Sequence, residues 1–215
     1  MKRDFSRVAL VMGVALLVPA CHDSDGGGGS SALFSDQFER QAVGSEWSTA
    51  GAAGSAAIVQ DDGQSALSMS VSQPNETASA ETTMSFPGRP LTFTVDQSAF
   101  ASGAGFGGAQ IVDNGGAVVA SAEQFAGVGG GYTFAIGGDT QTFPSGGTDG
   151  FQTLSFQVDA QGNGTWLLDG AQVMTRSNVP NVPLRLRLFT RGDDVPPGSA
   201  SFPTFNFDNI LVTSP

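Results

Sequence analysis

The sequence is poor in the side chains that most protein catalysis requires. Among its 215 residues there is one cysteine, Cys21, one histidine, His22, and one lysine, Lys2. Nucleophilic triads need a histidine or an equivalent base beside the nucleophile, and structural zinc sites need clustered cysteine and histidine. The body of the chain has the residues for neither arrangement. A single cysteine also excludes an internal disulfide.

Positive charge is scarce as well. Beyond residue 20 the chain has six arginines, no lysine and 19 carboxylates, a net charge of −13. Nucleic acid binding needs clustered cations that displace counterions from phosphate, so this balance excludes nucleic acid as a partner. The balance indicates a solvated acidic surface, as expected of a periplasmic or extracellular domain.

Sustained helical periodicity is missing after the first 20 residues, and turn formers are abundant. Thirty glycines, eleven prolines and sixteen phenylalanines indicate short strands around an apolar core. Asn114-Gly115 predicts a hairpin turn between two of these strands. The fold is therefore predicted to be all-β. Strands are predicted at 56–59, 66–71, 80–86, 91–95, 106–112, 117–122, 132–136 and 184–189.

Residues 1–20 have the pattern of a targeting segment. Basic residues precede an apolar run at 8–18 that is too short to span a bilayer. The run ends in Val18-Pro19-Ala20-Cys21, which resembles the bacterial lipobox. That resemblance implies lipidation of Cys21 and anchoring at the outer membrane or cell surface. The alternative is ordinary secretion, with Cys21 an incidental thiol.

The residues after the signal segment divide into a tether and one domain. Residues 21–32 are the predicted lipidated cysteine and a Gly/Ser-rich tether with a root-mean-square span of about 18 Å. Residues 33–215 are predicted to form a single domain, large enough to need no disulfide.

The stretch 151–174 predicts three consecutive strands. Leu154, Phe156 and Val158 alternate with polar residues, which is the period of a strand with one buried face. A Gly-rich segment at 159–164 and Asp169-Gly170 supply the two turns. This meander resembles the core hairpins of concanavalin A-like jelly rolls and laminin-G-like sandwiches, and we expect the remaining strands to flank it.

Both ends of the domain carry the same resemblance. Asp36, Phe38, Gly44 and Trp47 resemble the opening strand of bacterial concanavalin A-like modules, and Phe-Asp-Asn within 205–213 resembles their closing strand. The family implies a two-sheet β-sandwich whose N- and C-terminal strands pair. We expect this pairing to protect two sheet edges. Trp47 and Trp166 lie in apolar patterns and are predicted to be core residues.

Short sequence motifs suggest two possible ligands, calcium and a dinucleotide. The family often holds a structural calcium, and calcium takes only oxygen ligands, so acidic turns at 61–62, 113–114, 139 and 193–194 are its candidates. The segment 103–108 matches G-x-G-x-x-G. A dinucleotide site needs a helix after that motif, whereas the next residues predict a hairpin, so we interpret the segment as a loop. The sequence predicts no cofactor and leaves a structural calcium open.

Catalysis on carbohydrate needs two convergent carboxylates. Jelly-roll endoglucanases place them in E-x-D-x-E on one strand, and this motif is absent. The nearest pair, Glu76 and Glu81, is five residues apart and would face opposite sides of a strand. Gln110-Ile111-Val112 resembles one motif of jelly-roll alginate lyases, whose other motifs are missing.

A lectin-like role needs aromatic and planar polar groups on one sheet face. The candidate ligand-binding residues are Gln110, Glu123, Tyr132, Arg185 and Arg187, the last two of which alternate with leucine and so share a face. The leading hypothesis is a non-catalytic module that binds carbohydrate or an envelope partner and is lipid-anchored. The alternatives are a divergent glycoside hydrolase or polysaccharide lyase, and a structural envelope lipoprotein without a small ligand.

Overall fold

A computed structural model of the protein describes residues 30–53, 55–61, 63–100, 104–126, 130–144, 150–193 and 202–215. The predicted signal segment, Cys21 and all but the last residues of the predicted tether lie outside these ranges. The described part of the chain contains no helix long and apolar enough to cross a membrane. It forms fifteen strands: β1 (Ser31–Asp36), β2 (Trp47–Ala50), β3 (Ala56–Asp61), β4 (Gln64–Ser70), β5 (Thr77–Thr82), β6 (Leu91–Phe100), β7 (Gly105–Asp113), β8 (Val118–Phe125), β9 (Tyr132–Ile136), β10 (Asp139–Phe143), β11 (Gln152–Val158), β12 (Gly164–Leu168), β13 (Ala171–Arg176), β14 (Leu184–Gly192) and β15 (Thr204–Ser214).

The strands form two antiparallel sheets that pack as a sandwich, as the sequence predicts. The eight-stranded sheet has the order β13-β12-β11-β6-β15-β4-β3, and β1 pairs with β15 beside β4. The seven-stranded sheet has the order β10-β9-β8-β7-β14-β5-β2. A strand is present at each predicted position, but the one predicted at 80–86 ends at Thr82, and the predicted opening strand is divided between β1, which ends at Asp36, and β2, which begins at Trp47. The short strands β2 and β10 were not predicted because their sequences lack apolar alternation.

Aromatic residues fill the space between the sheets. Trp166 of the larger sheet packs against Phe156, with ring centroids 4.9 Å apart, and against Phe134 of the smaller sheet at 5.9 Å. All three side chains are buried, as is Trp47. Burial of such rings dominates the energetics of a core, so the prediction that both tryptophans are core residues is confirmed.

The two ends of the domain pair, as predicted. Strand β1 runs antiparallel to β15, from Ser31 beside Ser214 to Asp36 beside Ile210. The expectation that this pairing protects two edges is wrong, because β15 is an interior strand, whereas β1 has β15 as its one partner among the described strands and is itself an edge, like β3 and β13. Strands β4 and β1 pair with successive parts of β15 along the same side, β4 with its first residues and β1 with its last.

A buried carboxylate explains the opening motif. Asp36 accepts hydrogen bonds from the Trp47 indole N–H at 2.7 Å and from the Phe38 backbone N–H at 2.8 Å. Arg40 donates to both of its oxygens, at 2.9 and 2.6 Å. Since Asp36 ends β1 in one sheet and Trp47 begins β2 in the other, this carboxylate ties the sheets together.

The meander at 151–174 forms β11, β12 and β13 with the predicted turns. Asp169 and Gly170 have φ of 50° and 78°, the left-handed pair that a tight hairpin requires. The meander is nevertheless at one end of the larger sheet, with β13 at the edge, and not at its centre. The central pair is β6 and β15, which bridges segments far apart in the chain.

The interpretation of the G-x-G-x-x-G segment as a loop is wrong from Gly105 onwards, where the predicted strand at 106–112 is confirmed, and Gly103 lies outside the described residues. Gly105, Gly107 and Gly108 belong to β7. A β-carbon on Gly107 would overlap the Phe205 ring, and one on Gly108 would overlap the Ala122 carbonyl. Glycine is used here for close packing. The predicted hairpin follows at the other end of β7, where Gly116 has φ of 83°.

Candidate functional site

Strand β14 places a row of arginines on the outward face of the seven-stranded sheet. Its leucines point into the core, so Arg185, Arg187, Phe189 and Arg191 point outward. Residues paired in register share a face. The register of β14 therefore sets Glu81 of β5 and Gln110 of β7 on either side of Arg187.

Ion pairs and a hydrogen bond hold these side chains in one arrangement. The Glu81 carboxylate accepts a hydrogen bond from Arg187 Nε at 2.8 Å and forms ion pairs with Arg187 Nη2 at 2.7 Å and with Arg185 Nη1 at 2.6 Å. Arg187 Nη1 donates to Gln110 Oε1 at 3.3 Å. The Glu81 side chain is 15% exposed and the arginines are 24–25% exposed, so the row stays open to solvent.

A groove of about 390 Å³ runs over this row. Hydroxyl groups line it beside the charged residues, among them those of Ser48, Ser79 and Thr83. Phe189 contributes to its floor although its side chain is only 4% exposed. At one end the Arg191 guanidinium lies 5.1 Å from the centre of the Phe106 ring, a cation–π contact. Ten of the groove's twelve lining residues are polar or charged, and arginine is the most frequent charged one.

No protein-family model matches the sequence, and no curated protein sequence matches it. Solved structures do match. A Crh5 transglycosylase has a TM-score of 0.64 at 18% identity, with 84% of this chain and 83% of that one covered. An endo-β-1,3-glucanase from Pyrococcus furiosus has a TM-score of 0.66 at 13% identity, with 86% and 94% covered. The carbohydrate recognition domain of Emp47p has a TM-score of 0.65 at 10% identity, with 89% and 99% covered.

The fold is a concanavalin A-like jelly roll. The predicted fold class is therefore confirmed. At these identities the likeness shows the fold alone, and jelly rolls carry many activities, so function has to be argued from the groove.

Three of the five predicted ligand-binding residues meet in the groove of this jelly roll. Gln110, Arg185 and Arg187 line it together. Glu123 of β8 is on the same outward face of the sheet. It pairs with Gly108 of β7, two residues from Gln110. Whether any of them binds a ligand stays a prediction.

Tyr132 does not line the groove, and the prediction that it binds a ligand is wrong. Its side chain is fully buried between the sheets, where the hydroxyl lies 3.0 Å from Gln152 Oε1 and 3.2 Å from Gln124 Oε1. Burial, assisted by the charge of Asp169, raises the pKa of the phenol. A ring enclosed in this way cannot stack on a sugar at the surface.

Glu81 and Arg191 line the groove but were not among the predicted ligand-binding residues. The sequence presents Glu81 only as an unproductive partner of Glu76. The two do not converge, because Glu76 Oε2 accepts from the Ser72 and Gln73 backbone N–H groups in a turn. Glu81 is instead paired with Arg187, 106 residues away. Only the register between β5 and β14 brings these two together.

The carboxylates on this face are poorly placed for glycoside hydrolysis. Glu81 on β5 and Glu123 on β8 are separated by three strand-to-strand steps across β14 and β7. At about 4.8 Å a step, and with Glu123 two residues further along its strand than the partner of Gln110, their backbones are about 16 Å apart. Hydrolysis requires carboxyl groups about 5–5.5 or 6.5–9.5 Å apart, and the Glu81 carboxylate is held by two arginines.

The acidic turns suggested for calcium have other roles where the structure describes them. Asp113 Oδ1 accepts from the Ala117 backbone N–H, and Asp139 pairs with Arg176 at 2.9 Å. Asp62, Asp194 and the side chain of Asp61 lie outside the described residues. Within the described part, no three acidic, histidine or cysteine side chains form a group that could hold a metal. Structural calcium stays a prediction.

Proposed function

We propose that this protein is a non-catalytic carbohydrate-binding module, held at the bacterial outer membrane or cell surface by a lipid on Cys21. The observation that supports binding is the row of Glu81, Arg187 and Gln110 beneath an open groove. The lipid anchor rests on the lipobox pattern of the sequence.

Planar polar side chains bind sugars well because adjacent hydrogen-bonding groups in one plane can contact neighbouring hydroxyls of a sugar ring. Arg187 supplies donors, whereas the amide of Gln110 supplies both kinds of group. The ion pairs with Glu81 hold these groups before any ligand arrives, which lowers the entropy cost of binding.

The likeness to a carbohydrate recognition domain supports this proposal, and the likeness to a transglycosylase and a glucanase supports the enzyme alternative. Between the two, the separation of Glu81 from Glu123 and the pairing of Glu81 with arginines favour binding without cleavage. A protein of the cell envelope is the other partner that such a polar groove could accept.

The test is thermal melting of the full chain, expressed in bacteria and solubilised in mild detergent, against a panel of polysaccharides with calcium present and chelated. Buried Trp47 and Trp166 report unfolding by fluorescence. A ligand at about a hundred times its Kd stabilises by about 2.7 kcal/mol, or about 5–10 °C for a domain of this size.

A matched pair of variants locates the site. Gln110→Ala should abolish the shift, whereas Gln157→Ala, an exposed glutamine on the other sheet, should keep it. New reducing ends during incubation would contradict the non-catalytic part of the proposal. The absence of a shift with every glycan would contradict the proposal itself and favour a protein partner.

A further inference from the structure

The arginines of this protein are distributed very unevenly. Six follow residue 20, and three of them, Arg185, Arg187 and Arg191, lie on the outward side of one strand and line the groove. Glu81 is the one carboxylate among the described lining residues, so the groove has a formal charge of +2. The chain beyond residue 20 has a net charge of −13, so the groove is a local reversal of sign.

Arginines elsewhere in the described structure are matched differently. Arg40 contacts two carboxylates, those of Asp36 and Glu46, and Arg176 contacts Asp139. Arg89 donates to the Val179 carbonyl at 2.9 Å. In the groove Arg185 and Arg187 share the single carboxylate of Glu81, and Arg185 also donates to the Asp113 and Asn114 carbonyls. Three arginines and one carboxylate line the groove, which leaves positive charge in excess there.

We infer that the groove selects anionic glycans, polysaccharides that bear carboxylate or sulfate, over neutral ones. This inference rests on the proposed function. The guanidinium fork binds carboxylate and sulfate oxygens through paired, charge-assisted hydrogen bonds, which are stronger than those to neutral hydroxyls. Six arginines beyond residue 20 are few for an anionic ligand, but the fold gathers three of them in one place.

Arg191 is the residue that tests this inference with the least disturbance. It is exposed and its guanidinium rests on the Phe106 ring, whereas removal of Arg185 or Arg187 would deprive Glu81 of a partner. Arg176 is its matched control, because it is also an exposed arginine on a strand but belongs to the other sheet. Arg191→Gln and Arg176→Gln change the net charge of the protein equally, so any difference between them comes from position.

The experiment measures affinity of the full chain for two pairs of polymers: polygalacturonate with its methyl ester, and dextran sulfate with dextran. Each pair shares a backbone and differs in charge. We expect at least a tenfold preference for the charged member of one pair, and that pair identifies the anion. Arg191→Gln should reduce this affinity about tenfold and Arg176→Gln less than twofold, with both variants melting like the parent. Raising NaCl from 50 to 500 mM should weaken the charged interaction severalfold.

The outcomes separate this inference from the proposed function. Equal affinity for charged and neutral members, lost in Gln110→Ala, would overturn the anionic preference and leave carbohydrate binding intact. Equal losses in Arg191→Gln and Arg176→Gln would also overturn it, because the effect would then be one of net charge. Binding of no glycan, in this test or in the melting panel, would overturn both.

Discussion

At the scale of the residue, two buried carboxylates of this jelly roll have opposite surroundings. Asp36 is surrounded by donors from Phe38, Arg40 and Trp47. Asp208 on β15 is 4% exposed, accepts from the Asn209 backbone N–H at 2.7 Å, and stands directly opposite Asp96 on β6. Burial first, and then the charges of Asp96, Glu39 and Asp36, raise the pKa of Asp208 above its ordinary value.

A raised pKa means that the folded state binds the Asp208 proton more tightly than the unfolded state does. Its contribution to stability is therefore complete below the ordinary pKa of about 3.9 and is lost as pH rises through the folded-state value. We expect Asp208→Asn to raise the melting temperature at pH 7 and to have little effect at pH 3. An amide oxygen can still accept from Asn209. Calorimetric melts of parent and variant across this pH range measure the difference.

Asp159→Asn supplies a control of opposite sign. The hydrogen bond from the Asn163 side chain, followed by that from its backbone, lowers the pKa of Asp159. The stability from this carboxylate is present above its ordinary pKa and is lost as pH falls through the lowered value, so its removal should lower the melting temperature at pH 7. A destabilised Asp208→Asn at pH 7 would contradict the account of that residue.

For single residues, the sequence predicts correctly which side chains face solvent and which face the core when this depends only on the alternation along one strand. Alternation placed Arg185 and Arg187 outward and Leu184 inward, as observed. The same alternation puts Tyr132 on the face of β9 that carries buried Phe134, two residues away, so the burial of Tyr132 could have been predicted. Glu81 could not have been assigned, because its ion pair depends on a register between distant strands.

At the scale of the element, local turn chemistry was predictable and position within the sheet was not. The turn at Asp169-Gly170 follows from the conformational freedom of those residues. The place of the meander at the end of its sheet depends instead on β6 pairing with both β11 and β15. Such pairings between distant segments have no local signal.

Strand β1 is the element whose removal should be most informative. It contributes Asp36 and also Phe34, whose ring lies 5.8 Å from that of Trp47 and 6.0 Å from that of Phe86. Deletion of residues 31–36 would leave the buried Trp47 N–H without its acceptor. We expect a loss of about 3 kcal/mol or more. That corresponds to a fall of about 6–12 °C in Tm, measured by tryptophan fluorescence.

Deletion of residues 24–29 is the matched control, because it removes the same number of residues from the predicted tether. It should leave Tm unchanged. If both deletions lowered Tm equally, β1 would have no specific role in closing the sandwich. If neither did, the Asp36 contacts would contribute little to stability.

At the scale of the whole molecule, the sequence predicts an acidic domain that follows a short tether. The structure adds the sign reversal at the groove, which the total charge conceals. The first described strand begins at Ser31, so few residues separate the jelly roll from Cys21. A lipid on Cys21 would keep the groove within a few tens of ångströms of the membrane, since the tether spans about 18 Å.

Cys21→Ser tests this arrangement directly. Several acyl chains, at about 0.8 kcal/mol for each buried methylene, hold a protein stably in a bilayer, and serine cannot accept them at this position. We expect the parent to sediment with membranes and to resist extraction by salt and carbonate, and the variant to appear in the soluble fraction. His22→Ala, a neighbouring change that keeps the thiol, should sediment like the parent. Because Cys21 precedes the folded domain, the variant should melt at the same temperature and bind glycan with the same affinity. Retention of Cys21→Ser in the membrane fraction would show that the lipobox pattern does not anchor this protein.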